Sequence, residues 1–403
     1  MMENTAQKDR RLRFLVNTNA PWTHSGYAIA ARDLMRRFVT DGWQAGMIGF
    51  SGHEGGPIGF EGYPIYGRMA DQWGSDAMLF HGKHFGANFL LTFHDIWVLN
   101  QQYLQQINNE GGKVIAYVPI DQDPIPPNVL NNLKFCYKII TFSKWGQQLL
   151  QKNGFTSTLI LEGTDTNIFK PMDRAECRKF FDIPQDAFVI GMVGANKENP
   201  PRKGWQQALE AFKMFHDKHP EALFWFECNQ EAPGGFPIKQ YAQYLGIDKQ
   251  LRSMDTYVSV FHAGSEMMAK LYNSFDILSH ASLTEGFGLC QIEAQACGIP
   301  VVVNDYSAMP EAIIPGRTGA ICKPGFKLFT SGLGFYVFPD VNDLYEQYEF
   351  LYRSNRVEMG KSARKHVLEK YDIDKIYKNK WVPFLTDLQD ELLGKVDLKT
   401  ETK

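Results

Sequence analysis

The chain has 403 residues, 44% of them apolar and 22% charged, with a formal net charge of -3. That length suits two domains of ordinary size, and the composition is that of a soluble globular protein. The near-neutral balance excludes a global basic field of the kind nucleic-acid binders carry.

Six cysteines lie at irregular spacing with no C-x-x-C pair. This argues against structural zinc and a disulfide framework, and for free thiols in a reducing cytoplasm. No apolar stretch follows the polar N-terminus, and no run is long enough for a membrane-spanning helix, so neither a secretory signal nor an integral membrane segment is expected. The basic cluster Lys8, Arg10, Arg11 and Arg13 reads as a solvated flank.

Short apolar runs alternate with amphipathic stretches, the pattern of βα units around parallel sheets. Strands are predicted at Leu12–Val16, Gly46–Phe50, Asn88–Thr92, Lys113–Val118, Lys138–Phe142 and Thr158–Leu161, with helices near Tyr27–Asp41, Trp97–Asn108 and Lys144–Asn153. A second series predicts strands at Phe188–Val193, Leu223–Cys228, Thr256–Phe261, Ile277–His280, Pro300–Val303 and Gly319–Cys322. Helices are expected near Trp205–Lys218, Ser265–Ser274, Gly288–Cys297 and Asp340–Ser354. Glu162–Pro184 reads as a linker and Lys323–Phe338 as an ordered surface loop. The division expected is a first α/β domain over 1–170, a second over 171–375, and over 376–403 a helix that packs back toward the first domain, then a polar tail. Two such α/β units face a cleft at the carboxyl ends of their strands.

The decisive stretch is Ser282–Gly298, SLTEGFGLCQIEAQACG. Glu285 stands in a loop after a strand. Gly286, Phe287, Gly288 and Leu289 make the turn into a helix whose free N–H groups and positive dipole end suit a phosphate. Glu293 follows about five residues into the helix, roughly 7–8 Å along its axis. Two carboxylates thus flank an anion site at the spacing of a nucleoside diphosphate, Glu285 placed for sugar hydroxyls and Glu293 for the ribose diol. Either glutamate alone would be a surface or turn residue; the joint pattern is what points to a site.

This pattern resembles glycosyltransferase family 4, the retaining transferases of the GT-B fold, whose hallmark E-x7-E is matched by Glu285 and Glu293. GIPVVVNDYSAMPEAI (Gly298–Ile313, including Glu311) and EGTDTNIFKP (Glu162–Pro171) are similar to further family segments. The resemblance runs from about Leu12 to Lys380 and is weakest between Phe50 and Asn88. It implies two Rossmann-like domains, a hexose donor linked to UDP or GDP, no metal and no other cofactor, and front-face attack with retention. In GANKENPPRKGW (Gly194–Trp205), Lys203 matches the family's diphosphate lysine. Ala195 stands where the usual arginine would be, which leaves Arg202 or Lys197 to fill that role. His94, in FHDIW, matches the cleft histidine that contacts the donor sugar. Gly26, in NAPWTHSGY, can bring its amide to the diphosphate. Asp95, Asp121, Trp22 and Tyr27 fall on the acceptor side, where aromatic faces suit sugar stacking. The D-Q-D at Asp121–Asp123 lies in the first domain and reads as acceptor side rather than metal site.

A nicotinamide-dependent dehydrogenase lacks support, because no G-x-G-x-x-G follows either first strand. The acceptor expected is a glycan, a lipid-linked sugar or a small molecule. A hydroxymethylated DNA base is the alternative, and a non-catalytic nucleotide-sugar or glycan-binding protein is the alternative of another class.

Overall fold

Strands of a parallel sheet are buried on both faces, and the apolar runs of this chain meet that condition. The computed structural model, which describes residues 12–23, 25–197 and 200–394, gathers them into two sheets. The first contains β1 (Arg13–Asn19), β2 (Gln44–Ser51), β3 (Ile58–Phe60), β4 (Tyr63–Gly67), β5 (Phe89–Phe93), β6 (Val114–Val118), β7 (Lys138–Thr141) and β8 (Thr158–Leu159), in the order β3-β4-β2-β1-β5-β6-β7-β8. Its pairings are parallel except for β3 on β4. The second contains β9 (Phe188–Val193), β10 (Ala222–Glu227), β11 (Leu251–Arg252), β12 (Ile277–His280), β13 (Val301–Asn304) and β14 (Gly319–Cys322), all parallel in the order β11-β10-β9-β12-β13-β14.

In each sheet the chain builds outward on one side, returns, and builds on the other. The reversal falls between β1 and β5 in the first sheet and between β9 and β12 in the second. Ligands of open α/β sheets bind at the carboxyl ends of the strands at such a point. The loops leaving these four strands carry Gly26, His94, Lys203 and Glu285.

The two halves are joined twice. The chain crosses from β8 into the second half, and the C-terminal segment crosses back. Thr164 N–H donates to Tyr371 O at 2.9 Å, and Ile373 N–H donates to Thr164 O at 3.1 Å. The helix Ile373–Ile376 continues through Tyr377–Trp381 into the helix Val382–Leu392. Trp381, almost fully buried, meets Phe38 and Tyr117 edge-on at 5.5 and 5.1 Å. Glu391 accepts from Tyr137 Oη at 2.6 Å and from Lys138 Nζ at 2.8 Å.

Three expectations are corrected. Thr256–Phe261 is a helix, because the Asp255 carboxylate accepts from the N–H groups of Tyr257 and Val258 and starts a turn. Lys323–Phe338 is largely a hairpin, with β15 (Pro324–Phe329) antiparallel to β16 (Phe335–Pro339). The expected linker contains the helix Arg174–Phe180, capped by Asp173. The structure also adds β3, β4 and the helix Ser75–Phe85 in the stretch that had no assigned elements. Arg13 opens β1; Lys8, Arg10 and Arg11 lie outside the described residues.

Candidate active site

The loop after β9 and the loop after β12 meet at a cluster of charge. Glu285 is 7% exposed. Its Oε1 accepts from Lys203 Nζ, and its Oε2 lies 3.3 Å from Arg202 Nη1, which also donates to Thr284 O at 2.9 Å. The Glu285 N–H donates to Ser307 Oγ at 2.9 Å, which fixes the loop beneath the side chain. Burial pushes the Glu285 carboxyl up, but Lys203 and Arg202 outweigh it and hold it well below the usual carboxylate range. His280, at the end of β12, lies 3.8 Å from Glu285 through Nε2, and its Nδ1 is 3.0 Å from Cys290 Sγ. Burial pushes His280 down to about 4, so it is a neutral ring under the cluster. The sequence places His280 at a strand end, and that position was the only signal for it.

The helix Leu289–Ala296 starts directly above. Gly288 precedes it at φ 93°, a backbone conformation that glycine adopts without strain, and no side chain caps the helix start. Its first turn is therefore open to an anion. Gly26 faces it from the first domain, where a Cβ would stand 3.5 Å from Leu289 Cδ1. Gly286 lets the two halves come close: a Cβ there would stand 2.3 Å from Pro119 Cβ. Phe287 is buried and packs edge-on against Tyr371 at 5.9 Å. Glu293 is 8% exposed, and its Oε2 accepts from Tyr272 Oη at 2.7 Å. Burial pushes Glu293 up to about 7, against the opposing effect of that hydrogen bond. No local signal marked Tyr272, which arrives from the helix Ser265–Ser274 through tertiary packing.

The first domain supplies the facing wall. Ser25 caps the helix Gly26–Thr40, its Oγ accepting from Ala28 N–H at 3.1 Å. His24, in the same loop, lies outside the described residues, as do Glu198 and Asn199 in the loop of Lys197. Tyr27 is half-buried beside Asp95; burial, with Asp95, Glu162 and Asp121 nearby, raises its hydroxyl well above the ordinary tyrosine value. Thr284 Oγ1 donates to Asp121 O, and Asp123 N–H donates to Tyr306 Oη at 3.2 Å, so the D-Q-D loop is tied to the second half. Glu311 adds a clamp, accepting from the N–H groups of Lys144 and Trp145 at 3.0 and 2.6 Å at the start of the helix Lys144–Lys152. Trp22, 40% exposed, donates to Gly52 O at 2.7 Å and meets His53 and Phe60 edge-on at 5.8 and 5.7 Å.

His94 departs from expectation. It is 2% exposed, with Nε2 3.2 Å from Asn17 Nδ2 and Nδ1 3.1 Å from Asp95 O. Burial pushes it down to about 4. Both ring nitrogens of this neutral histidine have partners within the first domain, so the expected contact with a donor sugar finds no open nitrogen here. Its place is behind Asp95, where it supports the loop.

One further carboxyl belongs to this region. Glu162, at the crossing after β8, is 7% exposed, and burial, reinforced by Glu285 and Glu293, pushes it up to about 8. A carboxyl raised in the folded state favours folding below its unfolded value, and that contribution is lost as pH rises through its folded value. Glu162 and Glu293 therefore make stability fall between about pH 5 and pH 8, at up to about 1.4 kcal/mol per pH unit for each group. Glu162→Gln is expected to lose less Tm than the parent between pH 6 and pH 9. An equal loss in both proteins would show that Glu162 does not hold its proton.

Among the described residues, no group of three or more His, Cys, Asp or Glu is arranged to hold a metal ion, and no helix is long and apolar enough to cross a membrane.

The model of the glycosyl transferases group 1 family matches residues 173–328. The D-inositol 3-phosphate glycosyltransferase of Corynebacterium glutamicum (strain R) is 30% identical over 171 residues, 41% of this chain and 39% of that protein. Its counterpart in Mycolicibacterium smegmatis is 28% identical over 159 residues, 40% of this chain and 34% of that one. The chain thus spans well under half the length of these curated relatives. Among solved structures, sucrose-phosphate synthase from Thermosynechococcus elongatus superposes with a TM-score of 0.76 at 16% identity, covering 96% of this chain and 100% of that one. Anabaena HepE in complex with UDP-glucose gives 0.71 at 14% identity, covering 94% and 100%. At such identities the likeness is one of fold. Residues 173–328, which carry the E-x7-E helix, are thus similar to the glycosyl transferases group 1 family, and the chain has the GT-B fold of its structural neighbours.

Proposed function

We propose that this protein is a retaining, metal-independent transferase that moves a hexose-type sugar from a nucleoside-diphosphate donor, UDP- or GDP-linked, to an acceptor hydroxyl. The observation that carries the reading is the convergence of Lys203 and Arg202 on Glu285 beside the uncapped start of the helix Leu289–Ala296. Glu285 stands there as the only anion the cations hold among the described residues. A diphosphate brings more charge and more acceptor oxygens, so it competes for both cations. Glu285 is then free to accept from the hydroxyls of the sugar, and Glu293 from the ribose.

Breaking the anomeric C–O bond leaves negative charge on the diphosphate. Cations and helix amides already aimed at that charge stabilise the transition state, each by roughly 3–4 kcal/mol. In a front-face attack the acceptor oxygen forms the new bond to the anomeric carbon, and its proton passes to the leaving phosphate oxygen. No protein nucleophile is required, and the paired-carboxylate geometry of glycoside hydrolases does not apply. Asp121, Asp95 and Tyr27 border the first-domain side, a lining that suits a sugar or a cyclic polyol. The UDP-glucose complex of the Anabaena neighbour and the D-inositol 3-phosphate named for the relatives support a UDP-sugar and a polyol of this kind.

A thermal-shift screen with UDP-, GDP- and ADP-sugars tests the reading. A true donor at a hundred times its Kd stabilises by roughly 2.7 kcal/mol. Glu293→Ala is expected to remove most of that shift at the same concentration. A parent protein that responds to no sugar nucleotide, or a variant that responds as the parent does, would contradict it.

A further inference from the structure

His280 has no role in the chemistry above, yet it lies against the site. It ends β12 and is 2% exposed. Its Nδ1 is 3.0 Å from Sγ of Cys290, which stands on the first turn of the helix Leu289–Ala296. Its Nε2 is buried and has no hydrogen-bond partner among the described residues. Glu285 Oε1 is 3.8 Å from that nitrogen, and a Cβ on residue 288 would stand 3.0 Å from it. Glycine at 288 therefore keeps the space between the ring and the helix start open.

A neutral imidazole carries one N–H, and the partner of one nitrogen decides which it is. Burial pushes the Cys290 thiol up, so it keeps its S–H and can donate to Nδ1. The ring proton then sits on Nε2, the end nearer the Glu285 carboxylate, where the negative charge favours it. Lys203 and Arg202 hold Glu285 in this structure. A diphosphate that draws both cations away strips a 7% exposed carboxylate of its counter-ions, which is costly unless another donor replaces them. A movement of about 1 Å brings Nε2–H within hydrogen-bond range of Oε1. We propose that His280 is a positioning residue whose Nε2–H takes hold of Glu285 when the donor diphosphate engages the cations, and so keeps the carboxylate aimed at the sugar. The proposal rests on the donor reading above and deepens it.

Calorimetric titration of the full chain tests this, with UDP-glucose against UDP and GDP-mannose against GDP. For whichever sugar nucleotide the parent binds more tightly, His280→Met is expected to weaken it about 10–100-fold, the worth of a hydrogen bond to a charged group. The matching bare diphosphate, which has no sugar for Glu285 to grip, should bind within about threefold of the parent and so report an intact fold. His280→Gln restores an N–H and should bring the sugar nucleotide back to within about fivefold of the parent. In a Glu285→Gln background, His280→Met should add less than about threefold, because the residue acts through Glu285. Cys290→Ala and Cys290→Ser probe the same contact without altering the ring. The alanine variant should lose several-fold in sugar-nucleotide affinity, and the serine variant, which keeps a donor, should not. Equal losses for sugar nucleotide and bare diphosphate, a His280→Gln as weak as His280→Met, or losses that multiply with Glu285→Gln overturn the proposal and leave the donor reading standing. Where His280→Met does not fold, a Cys290→Ala that binds as the parent does overturns it. If the parent binds neither sugar nucleotide, the donor reading falls and the proposal with it.

Discussion

Lys203→Ala is expected to lower the rate of UDP release from a UDP-sugar in the presence of acceptor by about 10²–10³-fold, with the loss in kcat rather than KM. The Lys203 ammonium sits on Glu285 Oε1, with its side chain 16% exposed at the meeting point of the loops after β9 and β12. Charge on the leaving diphosphate grows toward the transition state, so a cation held there is worth more in the transition state than in the ground state. Arg202 still pairs with Glu285 at 3.3 Å, so the variant should fold. An unchanged kcat would show that Lys203 only balances the charge of Glu285.

Asp276→Ala is expected to destabilise the second half by about 3–5 kcal/mol in denaturant unfolding, without any direct effect on the cleft. Asp276 is 5% exposed and Arg178 3%. The Asp276 carboxylate accepts from Arg178 Nη2 and Arg174 Nη1, both at 2.7 Å, and from Val189 N–H at 2.8 Å at the start of β9. Arg178 also donates to Ser274 O at 3.1 Å and to Gln185 O at 2.7 Å. Deleting the carboxylate leaves a buried guanidinium without its counter-ion. Arg174 is 43% exposed in its side chain, so Arg174→Ala should cost about 1 kcal/mol or less. Equal losses from the two substitutions would mean that burial is not what sets the size of the effect.

The parallel strands were legible because their burial on both faces leaves apolar runs that few other structures demand. The glycine turn into the helix Leu289–Ala296, with an acid on either side, was legible because glycines, a helix start and two acids follow one another at short spacing. The hairpin of β15 and β16 was not, since Phe326 and Phe329 are exposed on it and its strands carry no alternation. Thr256–Phe261 reads as a strand from its β-branched residues and tyrosine, but the Asp255 cap decides locally for a helix. His94 matched a motif, yet its ring is turned to Asn17 and the Asp95 carbonyl, which no spacing in the chain discloses. Tyr272, Ser307 and the clamp at Glu311 come from elements far apart in sequence that meet only once both sheets have formed. Glu162 lay in view within a segment read as a linker; its significance comes from being buried opposite two other acids.

A crystal structure of the protein soaked with UDP tests the central claim most directly. The account predicts the diphosphate against the start of the helix Leu289–Ala296, within hydrogen-bond reach of Lys203, with the ribose hydroxyls on Glu293. A nucleotide lodged elsewhere, or one bound here with Lys203 still on Glu285 and Glu293 untouched, would contradict it.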